Sequence, residues 1–132
     1  MRIALACPAS LPATQFGGIL FLSIHIANYL SNHGHEMTIY TSNLDFANNA
    51  STFNKKLPFE EKIGNYMIKR SNVWFSAFLF FVNPGMYKQM MNDNFDIIHA
   101  IGVRSFQAFI ATLVSRNKKI PLIISDQGGL TT

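Results

Sequence analysis

The sequence predicts a doubly wound α/β domain, in which helices cover both faces of a mainly parallel sheet. Short apolar runs and helical patterns alternate along most of the 132 residues. Hydrophobic residues make up 48% of the chain and charged residues only 14%, which is typical of a sheet buried on both sides and excludes a disordered chain. This length and composition predict one domain with a core of its own.

The first third of the chain predicts a strand, a loop, a helix and a second strand. Residues 2–7 are an apolar run that fits a central strand, and a loop with two prolines leads from it to Gly17 and Gly18. A helix is predicted over residues 18–33, with Gly34 as its left-handed C-cap. Its apolar positions recur at helical spacing: Leu22, Ile26, Tyr29 and Leu30. Residues 35–42 predict the second strand.

In the middle of the chain, the predicted strands and helices no longer alternate regularly. Residues 43–56 carry no periodicity and predict a surface loop. Gly64 and Asn65 separate two strand-like runs, residues 59–63 and 66–70, which predicts a β-hairpin added to the parallel sheet. Residues 73–82 are almost uniformly apolar, but a membrane span needs about twenty such residues. We therefore expect this segment to pack as core, or to lie against lipid if the protein meets a membrane surface.

The last third of the chain predicts two helices and two strands. Asn83 followed by Pro84 is typical of an N-cap with proline at the first helical position, and an apolar stripe follows: Met86, Tyr87, Met90 and Met91. Residues 95–101 predict a buried strand that contains His99. A helix is predicted over residues 104–116, and residues 120–125 predict the last strand. The expected buried face of that helix is Phe106, Phe109, Ile110 and Leu113.

Glycines and polar residues follow three of the predicted strands, where ligands of open α/β sheets bind. With the usual strand order, the loops after Cys7 and Ala100 border one crevice. Gly17 and Gly18 at a helix start offer exposed amides to a phosphate, although a turn that needs positive φ explains them equally well. Their loop is not G-x-G-x-x-G, so the dinucleotide fingerprint is missing.

Candidate polar side chains also lie in or after the two later strands, residues 95–101 and 120–125. His99 lies within an apolar run, where histidine is more often a hydrogen-bonded core residue than a ligand contact. Arg104 near a helix start is a stronger indication, because the dipole disfavours a cation there unless an anion faces it; a solvated surface arginine is the alternative. Residues 125–129, which include Gln127, fit a tight turn as well as a binding loop.

Several classes of function find no support in the residues. His25, His33 and His35 lack a partner ligand at metal-like spacing and there is no D-x-D pair, so we expect no metal and no cofactor. The net charge is +4, but the basic residues are scattered, so nucleic acid is not an expected partner. The single cysteine, Cys7, and the lack of a signal-peptide pattern favour the cytoplasm, with peripheral contact at the inner membrane face as an option.

Five segments taken together resemble the N-terminal domain of family 4 retaining glycosyltransferases, which have the two-domain GT-B fold. The segments are residues 1–5, the loop into Gly17 and Gly18, and residues 32–42, 95–102 and 121–130. The resemblance implies that residues 1–132 form a single Rossmann-like domain on the acceptor side of a cleft. It also implies transfer of a sugar from a nucleotide-sugar to an acceptor hydroxyl with retention. The C-terminal donor-binding domain is absent from these residues and would be a partner if the gene continues.

The resemblance also implies roles for individual residues. Gly17 and Gly18 would approach the diphosphate of the donor. The carbohydrate or lipid-linked acceptor would contact a larger set, namely His99, Arg104, Ser105, Gly128 and Gly129. Gln127 stands where the family usually has histidine, so only an amide is available there to hydrogen-bond a sugar or a phosphate.

The resemblance leaves the isolated chain with half of a catalytic cleft. We therefore expect little or no transferase activity from these residues alone. The alternatives are a stand-alone nucleotide-binding Rossmann-like domain and a non-catalytic module that binds a protein or a membrane surface through the Phe-rich segment.

Overall fold

The structure is a computed structural model, and it describes residues 1–7, 18–42, 59–73, 75–77, 80–101 and 106–125. Within these ranges the chain forms a six-stranded, mainly parallel sheet, a separate two-stranded ladder and three α-helices. The predicted α/β class is therefore confirmed. None of the described helices is long and apolar enough to span a membrane.

Where the sequence predicted bounds for a strand or a helix, the structure agrees to within two residues. In chain order the elements are β1 (Arg2–Ala6), α1 (Gly18–Asn32), β2 (Glu36–Ser42), β3 (Glu60–Ile63), β4 (Tyr66–Ser71), β5 (Phe75–Ala77), β6 (Phe80–Val82), α2 (Gly85–Asn92), β7 (Ile97–Ile101), α3 (Phe106–Lys118) and β8 (Leu122–Ser125). The loop predicted over residues 43–56 lies outside the described residues.

The strand order of the main sheet is β3-β4-β2-β1-β7-β8. β1 is parallel to β2 on one side and to β7 on the other, while β3 is the antiparallel strand at one edge. The chain leaves β1 towards β2 and leaves β7 towards β8, so the strand order reverses between these two neighbours. This reversal is the point at which open α/β sheets bind ligands, outside the carboxyl ends of the strands.

Helices cover both faces of the sheet, as the high apolar content predicts. Alternate side chains of β1 point to opposite faces. Ile3, Leu5 and Cys7 lie in the core on the side of α1. Ala4 and Ala6 lie in the core formed with α2 and α3, where their small side chains leave room for two helices.

The predicted hairpin is present, but only half of it is an addition to the parallel sheet. Ile63 pairs with Tyr66 across a turn in which Gly64 has a φ of +57°. β4 then runs parallel to β2 and occupies an inner position, so that β3 alone is added at the edge.

A second hairpin lies within the apolar segment of residues 73–82 and was not predicted. β5 and β6 are antiparallel, with Phe75 opposite Val82 and Ala77 opposite Phe80. The sequence could not indicate this hairpin, because a uniformly apolar run shows neither the alternation nor the turn residues of a strand pair. Val82, at the end of β6, is buried, as expected of core.

Two aromatic residues are exposed: Phe109, which the sequence predicted on the buried face of α3, and Tyr29, one of the apolar positions at helical spacing in α1. Phe109 of α3 is 56% exposed and Tyr29 of α1 is 64% exposed. The buried side of α3 consists instead of smaller residues and one glutamine: Gln107, Ala108, Ile110, Ala111 and Val114. Small side chains allow the helix to approach the sheet closely, whereas the size of a phenylalanine favours a position at the flank.

Candidate functional site

The candidate site is the carboxyl edge of the sheet, where β1 and β7 end side by side. Cys7 extends the pairing of β1, because its N–H donates to the carbonyl of Tyr40 at 3.1 Å. α1 begins at Gly18 and α3 begins at Phe106, each helix after the strand that ends at this edge. Neither helix has an acidic residue in its first turn. Their N–H groups and positive dipole ends can therefore attract an anion at this edge.

Two of the predicted site residues lie within the described ranges. Gly18 is the first residue of α1, and His99 is the third residue of β7. The remaining candidates lie outside the described residues, and their roles stay predictions: Gly17, Arg104, Ser105, Gln127, Gly128 and Gly129.

His99 occupies a position between core and surface. It lies between Leu5 of β1 and Ile123 of β8 in the register of the sheet. Its neighbours at alternate positions, Ile97 and Ile101, belong to the core on the side of α1, so His99 lies on the face of the sheet that α1 covers. Burial lowers the pKa of His99, which favours a neutral imidazole at pH 7. A neutral ring has one donor and one acceptor nitrogen, which suits hydrogen bonding to hydroxyl groups.

A buried amide cluster lies at the same edge, on the opposite face of the sheet. Asn83 donates from its side-chain amide to the carbonyl of Thr41 at 3.2 Å and to the hydroxyl of Ser71 at 2.9 Å. Its side-chain oxygen accepts a hydrogen bond from Gln107 Nε2 at 2.6 Å. Asn83 and Gln107 are both 0% exposed. The cluster therefore joins the ends of β2 and β4 to the start of α3.

This geometry corrects the role predicted for Asn83. Pro84 occupies the N-cap position of α2, and no side chain caps the helix. Asn83 contributes only its backbone carbonyl to the first turn, which accepts from the N–H of Met86 at 3.1 Å. Its side chain points into the protein because buried backbone and hydroxyl groups there need a partner.

One sequence signal could have indicated the amide cluster. Gln107 stands at helical spacing with Ile110, Ala111 and Val114, so it lies on the apolar stripe of α3. A polar residue on such a stripe requires a buried partner. The identity of that partner, Asn83, depends on packing between elements that are distant in the chain.

A second residue that the sequence did not single out is Arg70, near the end of β4. Its side chain is almost fully buried and its Nη2 lies 2.8 Å from Glu61 Oε1 of the neighbouring strand. Gln89 of α2 donates to the Arg70 carbonyl at 2.8 Å. A buried guanidinium needs an anionic partner, so this ion pair holds the antiparallel edge strand β3 on β4.

Two cavities lie at the opposite, amino edge of the sheet, with volumes of about 200 and 650 Å³. Both are lined by Arg2, Glu36, Asn94 and Phe95. Arg2 is paired with Glu36 at 3.2 Å, so its charge is already compensated. Because the strand reversal directs ligands to the carboxyl edge, we do not assign the site to these cavities.

Within the described ranges, no three His, Cys, Asp or Glu side chains are grouped so that they could hold a metal ion. The chain matches no protein-family model and no curated protein. The basis for a functional proposal is therefore the geometry of the carboxyl edge together with the sequence resemblance.

Proposed function

We propose that this chain is the acceptor-side, Rossmann-like half of a retaining glycosyltransferase of the GT-B type. The observation that carries the proposal is that α1 begins at Gly18 and follows β1, the strand that ends next to β7 at the carboxyl edge of the sheet. The proposal is also supported by the sequence resemblance of five segments, of which residues 1–5, 32–42, 95–101 and 121–125 lie within the described part of the chain. The single cysteine fits a cytoplasmic enzyme, and the net charge of +4 fits contact with the anionic inner membrane face.

The proposed chemistry follows from where charge develops during sugar transfer. The bond from the anomeric carbon to the diphosphate breaks, the acceptor oxygen bonds to the anomeric carbon, and the hydroxyl proton passes to the leaving diphosphate. Negative charge accumulates on the diphosphate before the proton reaches it. The N–H groups at the start of α1 are fixed donors that would stabilise this charge. The neutral imidazole of His99, on the same face of the sheet, would hydrogen-bond the acceptor sugar. The second domain would bind most of the nucleotide, so the chain alone would turn over little substrate.

The proposal is tested by titrating the isotope-labelled chain with nucleotide-sugars, NAD and carbohydrate acceptors, with backbone amide shifts as the readout. We expect shifts at Gly18, Ile101 and Phe106, and none at Glu36 on the amino edge. Shifts confined to the amino edge, or no response to any nucleotide-sugar or acceptor, would contradict the proposal. A response to NAD alone would favour a stand-alone dinucleotide-binding domain.

A charge variant tests the role of α1 directly. Gly18→Asp places a carboxylate at the helix start, where it favours the helix but repels the diphosphate. We expect at least tenfold weaker binding of a nucleotide-sugar. Asn28→Asp adds the same charge on the exposed side of the same helix and should leave the affinity unchanged.

Turnover provides an independent measurement. Incubation of the chain with radiolabelled nucleotide-sugars and glycan or lipid-linked acceptors should give little or no product. Rapid transfer by the chain alone would show that the second half of the cleft is not needed. Cosedimentation with anionic vesicles tests the proposed membrane contact.

A further inference from the structure

The buried amides of Asn83 and Gln107 hold together four segments that are far apart in the sequence. Asn83 bonds to Ser71, twelve residues earlier, and so closes the base of the segment that contains β5 and β6. The same side chain bonds to the end of β2 through the Thr41 carbonyl. Gln107 connects this junction to the first turn of α3.

Filling buried space with two amide side chains is energetically unfavourable. Removing an amide from water is unfavourable unless hydrogen bonds replace those lost, and apolar side chains would fill the same volume without this cost. Hydrogen bonds, however, are directional, whereas apolar contacts tolerate sliding. The amide pair therefore fixes the orientation of the first turn of α3 and of the hairpin base, both of which border the carboxyl edge.

We propose that Asn83 and Gln107 are positioning residues for the candidate site. They hold the first turn of α3 at a fixed place beside the ends of β1 and β7, so that ligand contacts from this turn depend on them. The identity of the ligand rests on the proposed function, but the positioning of α3 does not.

The first test is amide hydrogen exchange of the variant Gln107→Met, which keeps the length of the side chain and removes its donor. The amides of Ile110 and Ala111 bond to the first turn of α3, and we expect them to exchange at least tenfold faster. Amides from Val114 to Lys118 should change less than threefold. The matched control is Thr112→Val, which removes the bond from Thr112 Oγ1 to the Ala108 carbonyl within the same helix, and it should leave Ile110 and Ala111 unchanged.

A second variant tests whether a donor at this position restores the wild-type behaviour. In Gln107→Glu a protonated carboxyl can donate to Asn83, whereas an ionised one cannot, and burial raises the pKa of such a group. We expect exchange close to wild type at about pH 5 and as fast as in Gln107→Met at about pH 8, after correction for the intrinsic rates. A role in filling space alone would leave Gln107→Met like the wild type.

The third test uses any nucleotide-sugar or acceptor that binds the wild type. Gln107→Met should weaken its binding at least tenfold, and Thr112→Val should not. Equal binding by Gln107→Met, or an exchange increase spread evenly over α3, would overturn the positioning role. If the wild type binds no member of the panel, the proposed function fails, and the exchange pattern alone decides the role of the amide pair.

Discussion

At the scale of single residues, Asp93 shows how one carboxylate attaches a helix to the sheet. It directly follows α2, and its Oδ2 accepts hydrogen bonds from Tyr40 Oη at 2.7 Å and from Lys69 Nζ at 2.6 Å. Burial on its own raises the pKa of Asp93, but the bonds from Lys69 and Tyr40 outweigh burial and leave the pKa below its usual value. Lys118 donates to the Asp93 carbonyl, and its positive charge compensates the partial negative charge at the C-terminal end of α2.

We expect Asp93→Asn to lower the free energy of unfolding by about 1–2 kcal/mol at pH 7, because a neutral amide accepts these bonds more weakly. The folded pKa lies below the unfolded one, so the contribution of Asp93 is present above about pH 4 and is lost as the pH falls through the folded pKa. In urea unfolding measured from pH 7 to pH 2, the free energy of unfolding should therefore fall less in the variant than in the wild type.

Glu60→Gln is the matched control for Asp93→Asn. Glu60 also pairs with Lys69, at 3.3 Å, but it is largely exposed to solvent. Solvent screens such a pair, so this variant should cost less than about 0.5 kcal/mol. Equal effects of the two variants would show that the partial burial of Asp93 does not matter.

At the scale of elements, the end of α1 illustrates a signal that the sequence alone carries. The N–H of His35 donates to the Leu30 carbonyl at 3.1 Å, and the N–H of Gly34 donates to the Ser31 carbonyl at 3.2 Å. These are the two bonds of a Schellman motif, and Gly34 has the positive φ, +92°, that the motif requires. The predicted C-cap is confirmed.

We expect Gly34→Ala to lower the free energy of unfolding by about 1 kcal/mol, because the left-handed conformation is unfavourable for any residue with a Cβ. No atom lies within 4 Å of the added Cβ, so the cost comes from the backbone conformation alone. Thermal unfolding of the variant measures the cost. Gly34→Asn should cost less, since asparagine tolerates this conformation; the reverse order would contradict the explanation.

At the end of α3, we expect a substitution to raise the free energy of unfolding rather than lower it. Lys119 follows the helix with a φ of +56°, a conformation that lysine adopts at a cost. Lys119→Gly removes this strain, and after the extra entropy of glycine in the unfolded chain we expect a net gain of about 0.5 kcal/mol. The measurement is the midpoint of thermal unfolding. Arg116→Gly is the matched control, because it also removes an exposed basic residue but lies within the helix, where glycine should destabilise by about 1 kcal/mol.

At the scale of the whole molecule, stability is concentrated around the central strand. β1 is covered on both faces, with Leu5 on the side of α1 and Ala4 on the side of α2 and α3. At the edge strand β8, by contrast, Ile123 is 49% exposed. The described core is therefore centred on β1, β2 and β7.

We expect Leu5→Ala to lower the free energy of unfolding by about 2–5 kcal/mol, because it leaves a cavity where the side chain is fully buried. Ile123→Ala removes a half-exposed side chain and should cost less than half as much. Denaturant titration of both variants tests this difference. Similar losses of unfolding free energy in the two variants would show that β8 contributes as much to the core as β1 does.

The candidate site was only partly predictable. The sequence indicates Gly18, because a glycine pair before a helical pattern is a local feature, and it indicates His99 by its place in a strand. It did not indicate that Asn83 bonds Gln107, nor that Arg70 is buried against Glu61. Such pairs form between segments that meet only after the chain has folded.

The sequence by itself determined the α/β class, the hairpin at Gly64 and the end of α1, because hydrophobic periodicity and glycine conformation act over a few residues. The tertiary structure alone decided which side of α3 is buried, where the amide of Asn83 points and that Arg70 is buried against Glu61. These depend on the competition among many side chains for the same buried space and the same hydrogen-bond partners.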